Sequence, residues 1–164
     1  MSLKSWLLDE PGYWKLPIYI LFSSFTLLAI GITIGSALYF LEIDTPPRPD
    51  IETLVRMEWD AVISIVLVLV LAEEFFFRFL PIMIGRSLLN SLPITILLCL
   101  ISSIIFGYLH GNHWNILVQG VIGIGFCLIY LKCGGINKKI VKPYLTTSAV
   151  HFLYNIFSFA PIIL

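Results

Sequence analysis

The stretch VLAEEFFFRFLP, residues 70–81, sets two carboxylates and a guanidinium, Glu73, Glu74 and Arg78, into the middle of an apolar run that begins near Asp60 and reaches Leu80 or Ile84. Ionisable groups at bilayer depth cost at least about 2.5 kcal/mol each and mark function by default. At about 100° per residue in a helix, Glu74 and Arg78 share one face and can neutralise each other, while Glu73 points about 140° away from Arg78. Glu73 is left without a local partner. Two readings stand at this point. The three groups form a buried structural ion network, or Glu74 and Arg78 frame a desolvated Glu73 that serves as a general base.

The rest of the chain makes bilayer depth the right setting. Of 164 residues, 59% are apolar and 12% are charged, whereas a soluble domain carries about 25% charged residues. An ordinary soluble globule is excluded. Ten basic residues balance ten acidic ones, so nothing points to nucleic acid and the implied partner is membrane lipid. Apolar runs cover residues 14–41, 60–84, 92–110, 116–131 and 143–164. At about 20 residues per crossing these predict an all-α, polytopic membrane helix bundle of about five transmembrane helices. Pro81 marks a probable end or kink of the second run. The pair Gly31 and Gly35 is a small-xxx-small spacing, and Gly120, Gly123 and Gly125 predict a fourth helix packed tightly among its neighbours.

The organisation expected is a single membrane domain over residues 1–164. Residues 1–59 hold a short interfacial segment, the first span and an outer loop broken by TPPRP, residues 45–49; residues 60–164 form a four-helix catalytic core. The opening MSLKSWLLDEPG has too short an apolar patch for a cleavable signal, and Trp6 and Trp14 suit headgroup level. Cys99, Cys127 and Cys133 imply no disulfide framework. With five crossings, Lys4, Lys15, Arg86, Lys132, Lys138, Lys139 and Lys142 fall on one side and Arg48 and Arg56 on the other. The positive-inside rule then puts the N-terminus in the cytoplasm and the C-terminus outside.

Two further runs carry polar groups at helical spacing. FGYLH places Phe106 and His110, and HFLYN places His151 and Asn155, each pair four residues apart on one face. His113, in GNHWN, reads as a loop or interface residue. Together with Glu73, these are one carboxylate, two imidazoles and a carboxamide on three apolar helices. A glutamate and a histidine can hold and deprotonate a water; a histidine and an asparagine can stabilise an oxyanion. That is peptide hydrolysis without a nucleophilic side chain. The same Glu73, His110 and His151 can instead bind a divalent metal such as zinc, with water in the open position, although no HExxH is present. Straight helices set His110 nearer the outer end than Glu73 and His151, so tilt or a later start of the third helix must bring them together.

EEFFFR (Glu73 to Arg78), FGYLH and HFLYN resemble the EExxxR, FxxxH and HxxxN motifs of the CPBP family, the CAAX-type and bacteriocin-processing intramembrane proteases also called Abi proteins. The order and spacing match over about residues 60–160. The resemblance implies that Glu73 activates water with Glu74 assisting or framing, that His110 positions the water, and that His151 and Asn155 form the oxyanion site. Arg78 and Phe106 are supporting residues. The family is described both as metalloprotease and as glutamate-dependent; the amide of Asn155 favours the second, with no cofactor. Two departures stand out. Phe79 replaces the glycine that commonly follows the arginine, and one helix precedes the core, fewer than in larger CAAX endopeptidases.

The function expected is therefore an intramembrane endopeptidase that cuts a membrane-associated peptide or protein entering from the bilayer, in a prokaryotic cell membrane. A proton- or ion-coupled transporter using the same groups as a relay, or a catalytically silent immunity or binding protein, is the alternative.

Overall fold

The computed structural model describes residues 3–43, 57–111 and 113–163, and over these it is all-α, with six helices. A short α1, Leu3–Leu8, leads through a 3-10 turn, Tyr13–Lys15, into the long α2, Leu16–Phe40. The third helix, α3, spans residues 59–88 and changes gauge along its length. It runs as Trp59–Glu74, a π turn at Phe75–Phe79, one α turn at Leu80–Met83 and a second π turn at Ile84–Leu88. Then come α4, Leu92–Leu109, and α5, a π turn at Ile116–Gly120 continued by Val121–Lys132. The last helix, α6, is Val141–Ile163. The TPPRP loop with Arg48, and Arg56 after it, lie outside the described residues.

α3 does not end at Pro81, one of the two outcomes the sequence allowed, but continues to Leu88. A proline cannot donate to the carbonyl four residues back, here that of Phe77. The hydroxyl of Ser102 on α4 donates to that carbonyl instead, at 2.8 Å. Such a side-chain bond satisfies the carbonyl that the proline leaves free, and here it also joins α3 to α4.

Polarity is distributed inside out. Only 22% of the most apolar window of Tyr13–Phe40 and 33% of that of Leu92–Leu109 is buried, so these are not core helices of a soluble protein. Phe22, Phe25, Ile32, Phe40, Leu97 and Ile105 lie exposed, while Glu74, Arg78, Thr95, Ser103, His151 and Asn155 are buried. These two helices are long and apolar enough to cross a membrane; α5 is apolar but shorter.

One end of the bundle gathers the N-terminal segment, the end of α3 and the turn between α5 and α6. Lys132 donates to the carbonyls of Trp6, at 2.5 Å, and Asp9. Glu10 accepts from Asn137 at 2.6 Å and Lys139 at 2.9 Å, with Lys142 at 3.4 Å. Arg86 donates twice to the Ile136 carbonyl, at 2.9 and 3.1 Å. The N-terminal segment is thus more than an interfacial strip. Leu7, only 1% exposed, is sunk into a core cluster with Tyr130, Leu131 and Ile136. Trp6 packs against that cluster, whereas Trp14 is 77% exposed.

The glycines act as expected in α5 and only half so in α2. A Cβ on Gly31 would meet the Tyr154 hydroxyl at 3.2 Å, while Gly35 faces nothing within 4 Å. A Cβ on Gly107 of α4 would come within 2.7 Å of Ile116 Cα and 2.8 Å of the Gly120 nitrogen. Backbones of α4 and α5 touch there, in the last turn of α4.

Candidate active site

The difficulty of depth disappears with the length of α3. Counted from the turn that links α3 to α4, Glu73 lies 15 residues back from Leu88 and His110 lies 18 residues on from Leu92. At about 1.5 Å per residue these are roughly 22 and 27 Å, a difference of one helical turn. Had α3 stopped at Pro81, Glu73 would have fallen well short of His110. α4, formed by the third apolar run, starts at Leu92, so the later start allowed from sequence is not used. His110 itself is the residue after α4, followed by Gly111, whose φ of 145° turns the chain away.

Glu73 lies between two imidazoles. Its Oε1 is 3.6 Å from His110 Nε2 and its Oε2 is 3.5 Å from His151 Nε2. Each ring is held from its far side. His110 Nδ1 is 2.6 Å from the Phe106 carbonyl, and His151 Nδ1 is 2.9 Å from Glu74 Oε1. A carbonyl and a carboxylate only accept, so both Nδ1 atoms carry a hydrogen, and in the neutral imidazole each Nε2 then turns a lone pair toward Glu73. Acceptors facing one another at 3.5 and 3.6 Å make a seat for a species that brings protons or positive charge.

Glu73 and Glu74 reach opposite nitrogens of the same ring because they are consecutive, about 100° apart on α3, and the wider π turn begins immediately after them. π turns inside α-helices recur at functional sites. Glu74 is fully buried and pairs with Arg78 Nε at 3.5 Å. The guanidinium, also fully buried, lies 4.1 Å from the Phe106 ring centre and 5.0 Å from that of Phe126, so aromatic faces share the stabilisation of its charge. Phe106 reaches further, its ring centre 4.1 Å from that of His110 and 5.9 Å from that of His151. With Glu74 and Arg78 neutralising each other, Glu73 is the carboxylate left over. It is also the accessible one, its side chain 27% exposed.

Asn155 is buried on α6, four residues after His151 and on the same face. His113 stands exposed in the turn after His110, its ring 5.0 Å from that of Trp114. Phe79, in place of the glycine, stacks on Phe75 at 5.2 Å and meets Tyr144 edge-on at 6.3 Å, so the larger side chain is accommodated between α3 and α6. The sequence reading missed Phe126, whose ring lies 4.3 Å from that of His151. The signal available was Gly123, three residues before it, which packs α5 against Ser103 and Phe106 of α4.

Glu73, His110 and His151 are the donor types that zinc takes, with partners behind both imidazoles. Among the described residues, however, no group of three or more His, Cys, Asp or Glu is arranged to hold an ion, and the proposed chemistry runs through no metal.

Comparison with known proteins gives one match. The family model described as type II CAAX prenyl endopeptidase Rce1-like matches residues 56–157, well over half of the chain and all of the groups above. No curated protein and no solved structure matches.

Proposed function

Because the chain belongs to the Rce1-like family of type II CAAX prenyl endopeptidases, the CPBP or Abi group, we propose that it is an intramembrane endopeptidase that hydrolyses a peptide bond with water activated by Glu73. The observation that carries this reading is the Glu73 carboxylate lying between the Nε2 atoms of His110 and His151. A water seated there donates to Glu73 and to His110, which aims its oxygen at a scissile carbonyl and prepares its deprotonation. Glu73 takes the proton as the C–O bond forms. The proton passes on to His151 Nε2, and the resulting imidazolium is stabilised by Glu74 behind it. Only in that form does His151 have a hydrogen to offer an oxyanion, beside the amide of Asn155. Return of the proton to the leaving amine completes the hydrolysis, with the water's atoms divided between the new carboxylate and the new amine.

In this reading the five long helices α2 to α6 each cross the bilayer and form one domain, and the end that collects Lys15, Arg86, Lys132, Lys138, Lys139 and Lys142 faces the cytoplasm. Family membership makes a peptide or protein the substrate, and the exposed side of Glu73 lets it enter from the membrane. The test is cleavage of a susceptible membrane peptide by purified protein in lipid nanodiscs. Glu73→Gln, His110→Ala and His151→Ala each lose at least about a hundredfold in kcat, the scale of acid–base catalysis. Wild-type rates in all three overturn the reading. Activity survives strong chelation; its loss, with rescue by zinc, reassigns water activation to a metal.

A further inference from the structure

On α6, Tyr144, Ser148, His151 and Asn155 follow one another at spacings of four, three and four and form a single stripe. Two of the four are tied to α3. The Tyr144 hydroxyl donates to the Leu71 carbonyl at 2.8 Å, and His151 Nδ1 donates to Glu74 Oε1. Ser148 lies between them, so its side chain faces the same part of α3. It is 5% exposed, and its Oγ has no hydrogen-bond partner among the described residues. On the facing helix, Glu74 Oε2 is likewise buried without one.

Several serine and threonine hydroxyls in this bundle turn back on their own helix, and others, such as Ser102, bond across to a neighbouring one. Ser24, Thr95, Thr147 and Ser158 each donate to the carbonyl four residues earlier, at 2.6 to 2.8 Å. The same bond is geometrically open to Ser148, toward the Tyr144 carbonyl, yet Ser148 does not make it. A buried hydroxyl held off its own helix and a buried carboxylate oxygen on the facing one are the polar partners that an internal water needs.

We propose that Ser148 is a positioning residue: through one bound water its hydroxyl holds the Glu74 carboxylate, and with it the Nδ1–H form of His151. Oε1 then stays on His151 and Arg78 while Oε2 is bound from the other side. If Glu74 rotates, the hydrogen can move to Nε2, and the lone pair that faces Glu73 is lost. The catalytic consequence rests on the protease reading above; the tautomer does not.

The test compares wild type, Ser148→Ala and Ser148→Thr as full chains in lipid nanodiscs, labelled with 15N on the histidine rings, with His151 resonances identified by His151→Gln. In wild type at neutral pH, His151 is in the Nδ1–H form. Ser148→Ala moves a measurable share to the Nε2–H form and lowers kcat about tenfold at unchanged KM, the size of one hydrogen bond to a charged group. Ser148→Thr, which keeps the hydroxyl, restores both. An unchanged His151 tautomer in Ser148→Ala overturns the proposal whatever happens to kcat, and so does Ser148→Thr behaving like Ser148→Ala, which assigns the effect to packing. Absence of proteolysis in wild type overturns only the protease reading, because the ring spectra still decide the role of Ser148.

Discussion

His151 Nδ1 stands 2.9 Å from Glu74 Oε1, both groups almost fully buried, and this bond joins α6 to α3 at the one depth where the ring's other nitrogen meets Glu73. Its importance is directional. A neutral imidazole has one hydrogen, and committing it to Glu74 leaves the lone pair facing the reaction.

Removing the charge of Glu74 while keeping an acceptor therefore separates orientation from electrostatics. Glu74→Gln is expected to lower kcat about a hundredfold with little change in KM, since an imidazolium at His151 loses its counter-charge only as the transition state forms. Steady-state cleavage kinetics check this; an unchanged kcat would remove Glu74 from the chemistry.

Arg78 and Glu74 are buried as a pair, and their stability contribution shows only when one is removed alone. Arg78→Met leaves a buried carboxylate uncompensated and is expected to cost about 3–5 kcal/mol, whereas Arg78→Met with Glu74→Gln recovers most of that loss. Thermal unfolding in detergent of the two single variants and the double variant measures the coupling. Additive losses would contradict the pairing.

At Gly107 a side chain would press on the backbone of Ile116 and Gly120, at 2.7 and 2.8 Å, and backbone cannot give way as a rotamer can. Gly107→Ala is expected to cost about 1–3 kcal/mol and to depress cleavage further than stability, because α4 carries His110 three residues on. Gly35→Ala is the matched control. With nothing within 4 Å of its Cβ, it leaves activity unchanged and stability equal or slightly raised.

Glu10 closes the N-terminal segment onto the turn before α6. Burial pushes its carboxyl upward, but hydrogen bonds from Lys139, Asn137 and Lys142, with the charge of Lys139, outweigh this and hold it below its ordinary value of 4.5. A carboxyl lowered in the folded state stabilises fully above its ordinary range, and the contribution is lost as pH falls through the folded value. The segment is thus expected to stay docked at neutral pH and to loosen below about pH 4.5, seen as faster proteolytic nicking near Gly12. Glu10→Gln removes this pH dependence and costs about 1 kcal/mol at neutral pH. Identical nicking of both proteins across this range would exclude the clamp.

Much of the fold was legible because long apolar runs separated by turn residues are a one-dimensional signal. The runs delimit α2 to α6 to within a few residues. The continuation of α3 past Pro81 was hidden for a local reason: the bond from Ser102 that compensates the proline comes from another helix, and no local pattern reports it. The burial of Leu7 was hidden likewise, since six residues of mixed polarity reveal a docking site only when Tyr130 and Ile136 are known to stand opposite.

By itself the sequence determined which groups are anomalous: spacing along a helix is enough to pair Glu74 with Arg78, to leave Glu73 over, and to align His110 with Phe106 and His151 with Asn155. The tertiary structure alone decided which nitrogen of each histidine meets which carboxylate, that Phe126 backs His151, and that the Ser148 hydroxyl is buried without a bond to a carbonyl of its own helix. Periodicity governs the direction in which a side chain leaves its helix, but the partner it finds depends on the rotation and depth of the neighbouring helix. Close backbone contact at Gly107 and the full length of α3 set these two quantities here.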